Sequence, residues 1–79
     1  MKVEVKLFAS LRRFQSPEAQ GGKVQVELEE GAIVQALLDS LGISGQEAEI
    51  ILVNGLRTET DALLKEGDQV SLFPMLGGG

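Results

Sequence analysis

The apolar residues of this chain change their spacing twice, and that change limits what it can fold into. From Lys2 to Phe8 they alternate, with Val3, Val5 and Leu7 on one face and Lys2, Glu4, Lys6 and Phe8 on the other. This is the two-residue period of a half-buried strand. Lys23 to Leu28 repeats it, with Val24, Val26 and Leu28 inward and Gln25 and Glu27 outward. After Gly31 the spacing becomes helical: Ile33, Val34, Leu37, Leu38 and Leu41 lie three and four residues apart along one stripe. The helix is placed from Ala32, to within about two residues. It ends at Gly42, which can turn left-handed after the last turn while Ile43 makes the closing apolar contact. Its start carries no Ser, Thr, Asp or Asn to cap it.

Strand character returns at Glu49 to Val53, which Asn54-Gly55 ends as a tight turn. Leu56 to Thr60 reads as a short returning strand, Asp61 to Leu64 as one helical turn stopped at Gly67, and Val70 to Pro74 as the last strand, with Val70 and Leu72 inward. Between the first two strands, Ala9 to Gly22 is a polar connection holding Pro17 and Gly21-Gly22, with a short helical turn around Ser10 to Phe14. The order β-β-α-β-β excludes repeat architectures and helical bundles. It predicts an α+β fold: a mixed sheet of four to five strands with one main helix packed on one face. The helix supplies the crossover that lets the first and last strands lie parallel at the centre, the β-grasp arrangement. With 79 residues there is room for one core. Residues 1–74 are expected to form that domain and 75–79 a flexible glycine tail.

Several chemistries are removed by what is missing. There is no Cys, His, Trp or Tyr, hence no thiolate nucleophile, zinc cluster or imidazole base. No Asp-rich calcium loop or Gly-rich phosphate loop is present, so neither a metal site nor a nucleotide site is expected on this chain. A net charge of -5 disfavours nucleic acid, whose binding needs a Lys/Arg surface. No stretch is long and apolar enough to cross a bilayer, and the first residues lack the pattern of a signal peptide. A cytoplasmic location is expected. The charge is uneven: residues 1–26 carry Lys2, Lys6, Arg12, Arg13 and Lys23 against Glu4 and Glu18, whereas residues 27–79 carry ten acids against Arg57 and Lys65. Most of these groups keep a small domain soluble. A sharper reading is an acidic face that steers the molecule onto a basic partner.

Taken in order, Leu7-Phe8-Ala9-Ser10-Leu11-Arg12, Val53-Asn54-Gly55, Leu64, Glu66-Gly67-Asp68-Gln69-Val70, Phe73-Pro74 and Gly78-Gly79 resemble the MoaD/ThiS-type ubiquitin-like sulfur carriers over nearly the whole chain, most closely the small subunits of molybdopterin synthase. A lone Gly-Gly would say little, but the ordered set, with five residues after Pro74, is specific. One position departs from the family pattern and a second meets it. Met75 stands where a second proline is frequent, which makes the exit from the sheet less stiff, and Gly77 satisfies a place usually held by a small residue.

The resemblance implies a mechanism in which the Gly79 carboxylate is adenylated with ATP and magnesium held by a ubiquitin-activating-like enzyme, then converted to a thiocarboxylate. That tail would enter a large subunit and donate sulfur for the molybdopterin dithiolene. Gly77 and Gly78 suit threading, because residues without Cβ pass a narrow channel and allow another backbone to approach the reacting carbon. A docking surface is expected beside the tail. By alternation Phe8 and Phe73 point away from the helix, and Pro74, Met75 and Leu76 extend that surface, with Leu56 as a further candidate. Two alternatives stay open: a sulfur carrier for thiazole, thionucleoside or cysteine synthesis, and a modifier that forms isopeptide bonds with lysines.

Overall fold

In the computed structural model, which describes residues 1–14 and 23–74, the elements follow the expected order. Strands β1 (Lys2–Leu7) and β2 (Lys23–Glu27) precede helix α1 (Val34–Leu41), and β3 (Ile50–Val53), β4 (Leu56–Thr58) and β5 (Gln69–Phe73) follow it. A 3-10 helix, Ala9–Phe14, takes the place of the predicted helical turn after β1. Pro17 and the Gly21-Gly22 pair lie outside the described residues.

The sheet has the spatial order β2-β1-β5-β3-β4. β1 pairs antiparallel with β2 and parallel with β5, while β3 pairs antiparallel with both β5 and β4. The central parallel pair is the one that the intervening helix permits. Inward residues of the three central strands meet the apolar stripe of α1. Val3, Val5, Leu7, Ile51, Val70 and Leu72 pack with Val34, Leu37 and Leu38, and Leu11, Ile43, Ala48 and Leu64 close the ends of this core.

The two ends of α1 are solved differently. At the C-terminus the expectation holds: Gly42 is left-handed (φ 77°), the Ile43 N–H donates to the Leu38 carbonyl at 2.9 Å, and the Ile43 side chain is buried. At the N-terminus the first helical residue is Val34, with Ile33 extended before it and no side-chain cap. The missing acceptors come from another segment. The Val34 N–H donates to the Ala62 carbonyl at 2.9 Å and the Gln35 N–H to the Thr60 carbonyl at 2.8 Å.

This use of the backbone corrects the reading of Asp61 to Leu64 as a helical turn. Ile33 and Leu63 form an antiparallel bridge, and the Leu64 N–H donates to Ala32 at 2.9 Å. Four residues cannot sustain a helix alone, and here their polar groups are committed to α1 instead.

The Asn54-Gly55 turn takes the positive dihedrals expected of it, φ 52° and 84°. Asn54 also reaches outward, accepting through Oδ1 from the Gln69 N–H at 3.0 Å and donating through Nδ2 to Asp68 Oδ1 at 2.9 Å. Asp68, buried, takes a second bond at Oδ2 from the Lys65 N–H at 2.8 Å. The β3–β4 turn is thereby tied to the residues that start β5, which in turn fixes where β5 ends.

Candidate functional site

The parallel pairing of β1 and β5 decides the geometry of the expected docking residues. Leu7 lies opposite Leu72, and the next N–H, that of Phe8, donates to the Leu72 carbonyl at 3.1 Å. Phe8 and Phe73 therefore leave the sheet side by side, on the face that α1 does not cover. Their rings stack with centroids 4.2 Å apart and planes 12° from parallel. Both rings are half-buried, as two stacked aromatics on an open sheet face must be. Lys6, two residues earlier on the same face, holds its Nζ 5.1 Å from the Phe8 centroid, within the range of a cation–π contact. Pro74 is buried, and its fixed φ sets the direction in which the chain leaves β5. Met75, Leu76, Gly77, Gly78 and Gly79 lie outside the described residues.

The register adds two residues that the sequence reading missed. Ile50 lies opposite Phe73 and Leu52 opposite Ser71. Because the alternate residue Ile51 is buried in the core, Ile50 and Leu52 face the same way as the aromatic pair, and both are half-exposed. Their signal was present: in Ile50-Ile51-Leu52-Val53 the apolar character does not alternate, so the strand has an apolar residue on both faces although the helix covers only one.

Leu56 does not join this surface. It lies opposite Val53, which in turn pairs with Val70 at the far end of β5 from Phe73, and it faces the helix side. At 74% exposure it is a bare edge-strand leucine. Alternation gave its apolar character, but only the β3–β4 register could show which end of the sheet it occupied.

Beyond this surface the described residues contain no cluster of three or more side chains able to hold a metal, and no helix among them is long and apolar enough to cross a membrane. What the site offers is an apolar face at the end of a central strand, built from Phe8, Phe73, Ile50 and Leu52.

Five mixed strands crossed by a single helix define a ubiquitin-like β-grasp protein. The chain belongs to the Mut7-C ubiquitin family, which it matches over residues 1–77. Solved structures carry the same fold. SAMP1 from Haloferax volcanii is 28% identical over the whole of both chains, with a TM-score of 0.73. A Pyrococcus furiosus protein assigned as molybdopterin converting factor subunit 1 is 31% identical, the match covering 95% of this chain and 98% of that one, with a TM-score of 0.71. Subunit 1 of the molybdopterin-converting factor from Helicobacter pylori, in complex with subunit 2, is 22% identical over the whole of both chains with a TM-score of 0.62, and shows the fold alone. No curated protein matches the chain. The protein thus has the fold shared by ubiquitin-like sulfur carriers and modifiers, and is related to both.

Proposed function

We propose that this chain is a sulfur carrier of the molybdopterin synthase small-subunit type, with Gly79 as its reacting residue. A carboxylate is too poor an electrophile to accept sulfur unaided. In the proposed route the Gly79 carboxylate attacks the α-phosphorus of ATP and expels pyrophosphate, on an adenylating enzyme that holds ATP and magnesium. Sulfide, or sulfur delivered as a persulfide and released by a thiol, then displaces AMP from the acyl carbon and leaves a thiocarboxylate. The tail next enters a large subunit, where the sulfur passes to a pterin precursor to build the dithiolene. This chain binds no cofactor of its own. Use of ATP fits a cytoplasmic protein.

The observation that carries this reading is the Phe8–Phe73 stack at the end of β5, one residue before Pro74 and the glycine-ended tail. The face would hold an enzyme against the domain while Gly77, Gly78 and Gly79 thread to the reacting centre. The likeness to a converting factor subunit 1 at 31% identity supports a synthase partner.

The test is intact mass after incubation with ATP, magnesium, a sulfur source and the adenylating and sulfurtransferase fractions of the source cell. The expected product is heavier by the difference between one sulfur and one oxygen, and deleting Gly79 abolishes it. An unchanged mass while a known carrier is converted in the same extract would overturn the proposal. The full-length likeness to SAMP1, whose name in a second structure is small archaeal modifier protein 1, supports a second reading as a modifier. Covalent adducts of higher mass on target lysines, with no thiocarboxylate, would favour it.

A further inference from the structure

Asn54-Gly55 is a reactive pair as well as a turn. Asn54 is the one asparagine in the sequence, and a glycine after it leaves the next backbone nitrogen unshielded by any Cβ. An asparagine in that setting can close onto its own chain. The Gly55 nitrogen gives up its proton to water and bonds to Asn54 Cγ, the Cγ–Nδ2 bond breaks, and Nδ2 takes up a proton and leaves as ammonia. Water then opens the succinimide ring. Cleavage at Cγ leaves aspartate, and cleavage at the main-chain carbonyl leaves isoaspartate, whose backbone runs through the side-chain carbons. Asparagine is thermolabile for this reason.

Packing does nothing to prevent this. Asn54 and Gly55 are both exposed, and the place where a Gly55 Cβ would sit has no atom within 4 Å beyond its chain neighbours. What opposes ring closure is hydrogen bonding. The Asn54 N–H donates to the Gln69 carbonyl at 2.7 Å, its Oδ1 accepts from the Gln69 N–H at 3.0 Å, and its Nδ2 donates to Asp68 Oδ1 at 2.9 Å. Both ends of the carboxamide are thereby turned toward the start of β5, and Cγ cannot swing onto the Gly55 nitrogen until they let go. Asp68 is held in turn at its other oxygen, which accepts from the Lys65 N–H at 2.8 Å.

We infer that Asn54 is a latent deamidation site, kept unreacted by its hydrogen bonds to Asp68 and Gln69 and released by local opening of the β3–β4 turn rather than by unfolding of the domain. Release is self-reinforcing. Aspartate at position 54 has no donor to replace Nδ2 and sets a second carboxylate against Asp68, a like-charge pair. Isoaspartate lengthens the backbone of a two-residue turn between the paired Val53 and Leu56. Either product loses the anchor at the start of β5, the strand that ends at Phe73. The reaction turns a reversible opening into a permanent one, and so marks molecules whose turn has loosened.

The experiment ages the full chain at mildly alkaline pH and follows it by peptide mapping. The readout is the gain in mass as an amide becomes an acid, assigned to Asn54 or to Gln20, the glutamine that also precedes a glycine. Reaction at Asn54 is expected to be at least about tenfold slower in the folded chain than in urea, and Asp68→Ala to speed it about tenfold under native conditions. Should Asp68→Ala not fold, Asp68→Asn serves, since a carboxamide offers one acceptor oxygen to the two donors that reach Asp68 at separate oxygens. Ile43→Val trims the core and touches none of these bonds, so a locally opened turn is expected to react within about twofold of the wild-type rate. Equal rates in the folded chain and in urea, or no reaction in urea at all, would overturn the inference, as would Asp68 variants that age like wild type. Equal acceleration by Ile43→Val and by the Asp68 variants would also overturn it, by making global unfolding the route. Asn54→Asp, which copies one product, is expected to lower the urea midpoint, and a midpoint equal to wild type would overturn the self-reinforcing step.

Discussion

Asn54 Nδ2 donates to Asp68 Oδ1 at 2.9 Å, and this bond joins the β3–β4 turn to the residue before β5. The other Asp68 oxygen accepts from Lys65 N–H, and Asn54 Oδ1 accepts from Gln69 N–H. Asp68 is buried, and removing it takes away both part-buried bonds that it accepts from Asn54 and Lys65. Asp68→Ala is expected to lower stability by about 1–2 kcal/mol, read as a reduced urea midpoint at unchanged slope. A loss within a few tenths of a kcal/mol would mean that the turn holds without the carboxylate.

Phe73 and Leu72 are neighbours on β5 with opposite roles, because they point to opposite faces. Leu72 is fully buried in the core, and Leu72→Ala is expected to cost about 2–5 kcal/mol. Phe73 is half-buried and touches Phe8. Phe73→Ala removes a stack worth about 0.5–1.5 kcal/mol beyond its area, so the variant is expected to fold and to dock poorly. Equilibrium unfolding together with pyrophosphate exchange separates the two effects. If Phe73→Ala unfolds as readily as Leu72→Ala, the ring is a core residue and the docking surface is misplaced.

Most of the fold was legible because its signals are local. Alternation placed Val3, Val5 and Leu7 inward, the three- and four-residue spacing found α1, and Gly42 and Asn54-Gly55 announced their own conformations. The side-by-side placement of Phe8 and Phe73 followed once β1 and β5 were taken as parallel neighbours. What failed depended on register or on distant backbone. Leu56 and Ile50 are both apolar residues of β-rich runs, yet the β3 pairings put one at each end of the sheet. The Asp61 to Leu64 segment looked helical because nothing local shows that its carbonyls serve α1.

Ala9 follows directly on Phe8 and has φ 51°, a left-handed conformation that costs an L-residue with a Cβ roughly 1–2 kcal/mol. Its side chain is exposed, so little packing compensates. Glycine adopts this dihedral freely but loses more entropy on folding. The balance favours Ala9→Gly by about 0.5–1 kcal/mol, a rise in thermal midpoint of a few degrees. A fall would show that the methyl makes a contact worth more than the strain.

The start of α1 gives a prediction opposite to the usual capping rule. Placing Ser at an N-cap ordinarily stabilises a helix by about 0.5–2 kcal/mol, because its oxygen accepts from a free N–H of the first turn. Here those donors are taken: Val34 and Gln35 N–H bond to the carbonyls of Ala62 and Thr60, and Ala36 N–H bonds to Ile33 itself at 3.0 Å. A serine hydroxyl at position 33 would find no unpaired partner among them, while the change removes an apolar side chain that is half-buried at the Leu63 bridge. Ile33→Ser is therefore expected to destabilise by about 1 kcal/mol, measured by urea unfolding. An increase in stability would mean that the carbonyls of the β4–β5 connection hold the helix less firmly than their distances indicate, and that α1 is capped from within its own sequence after all.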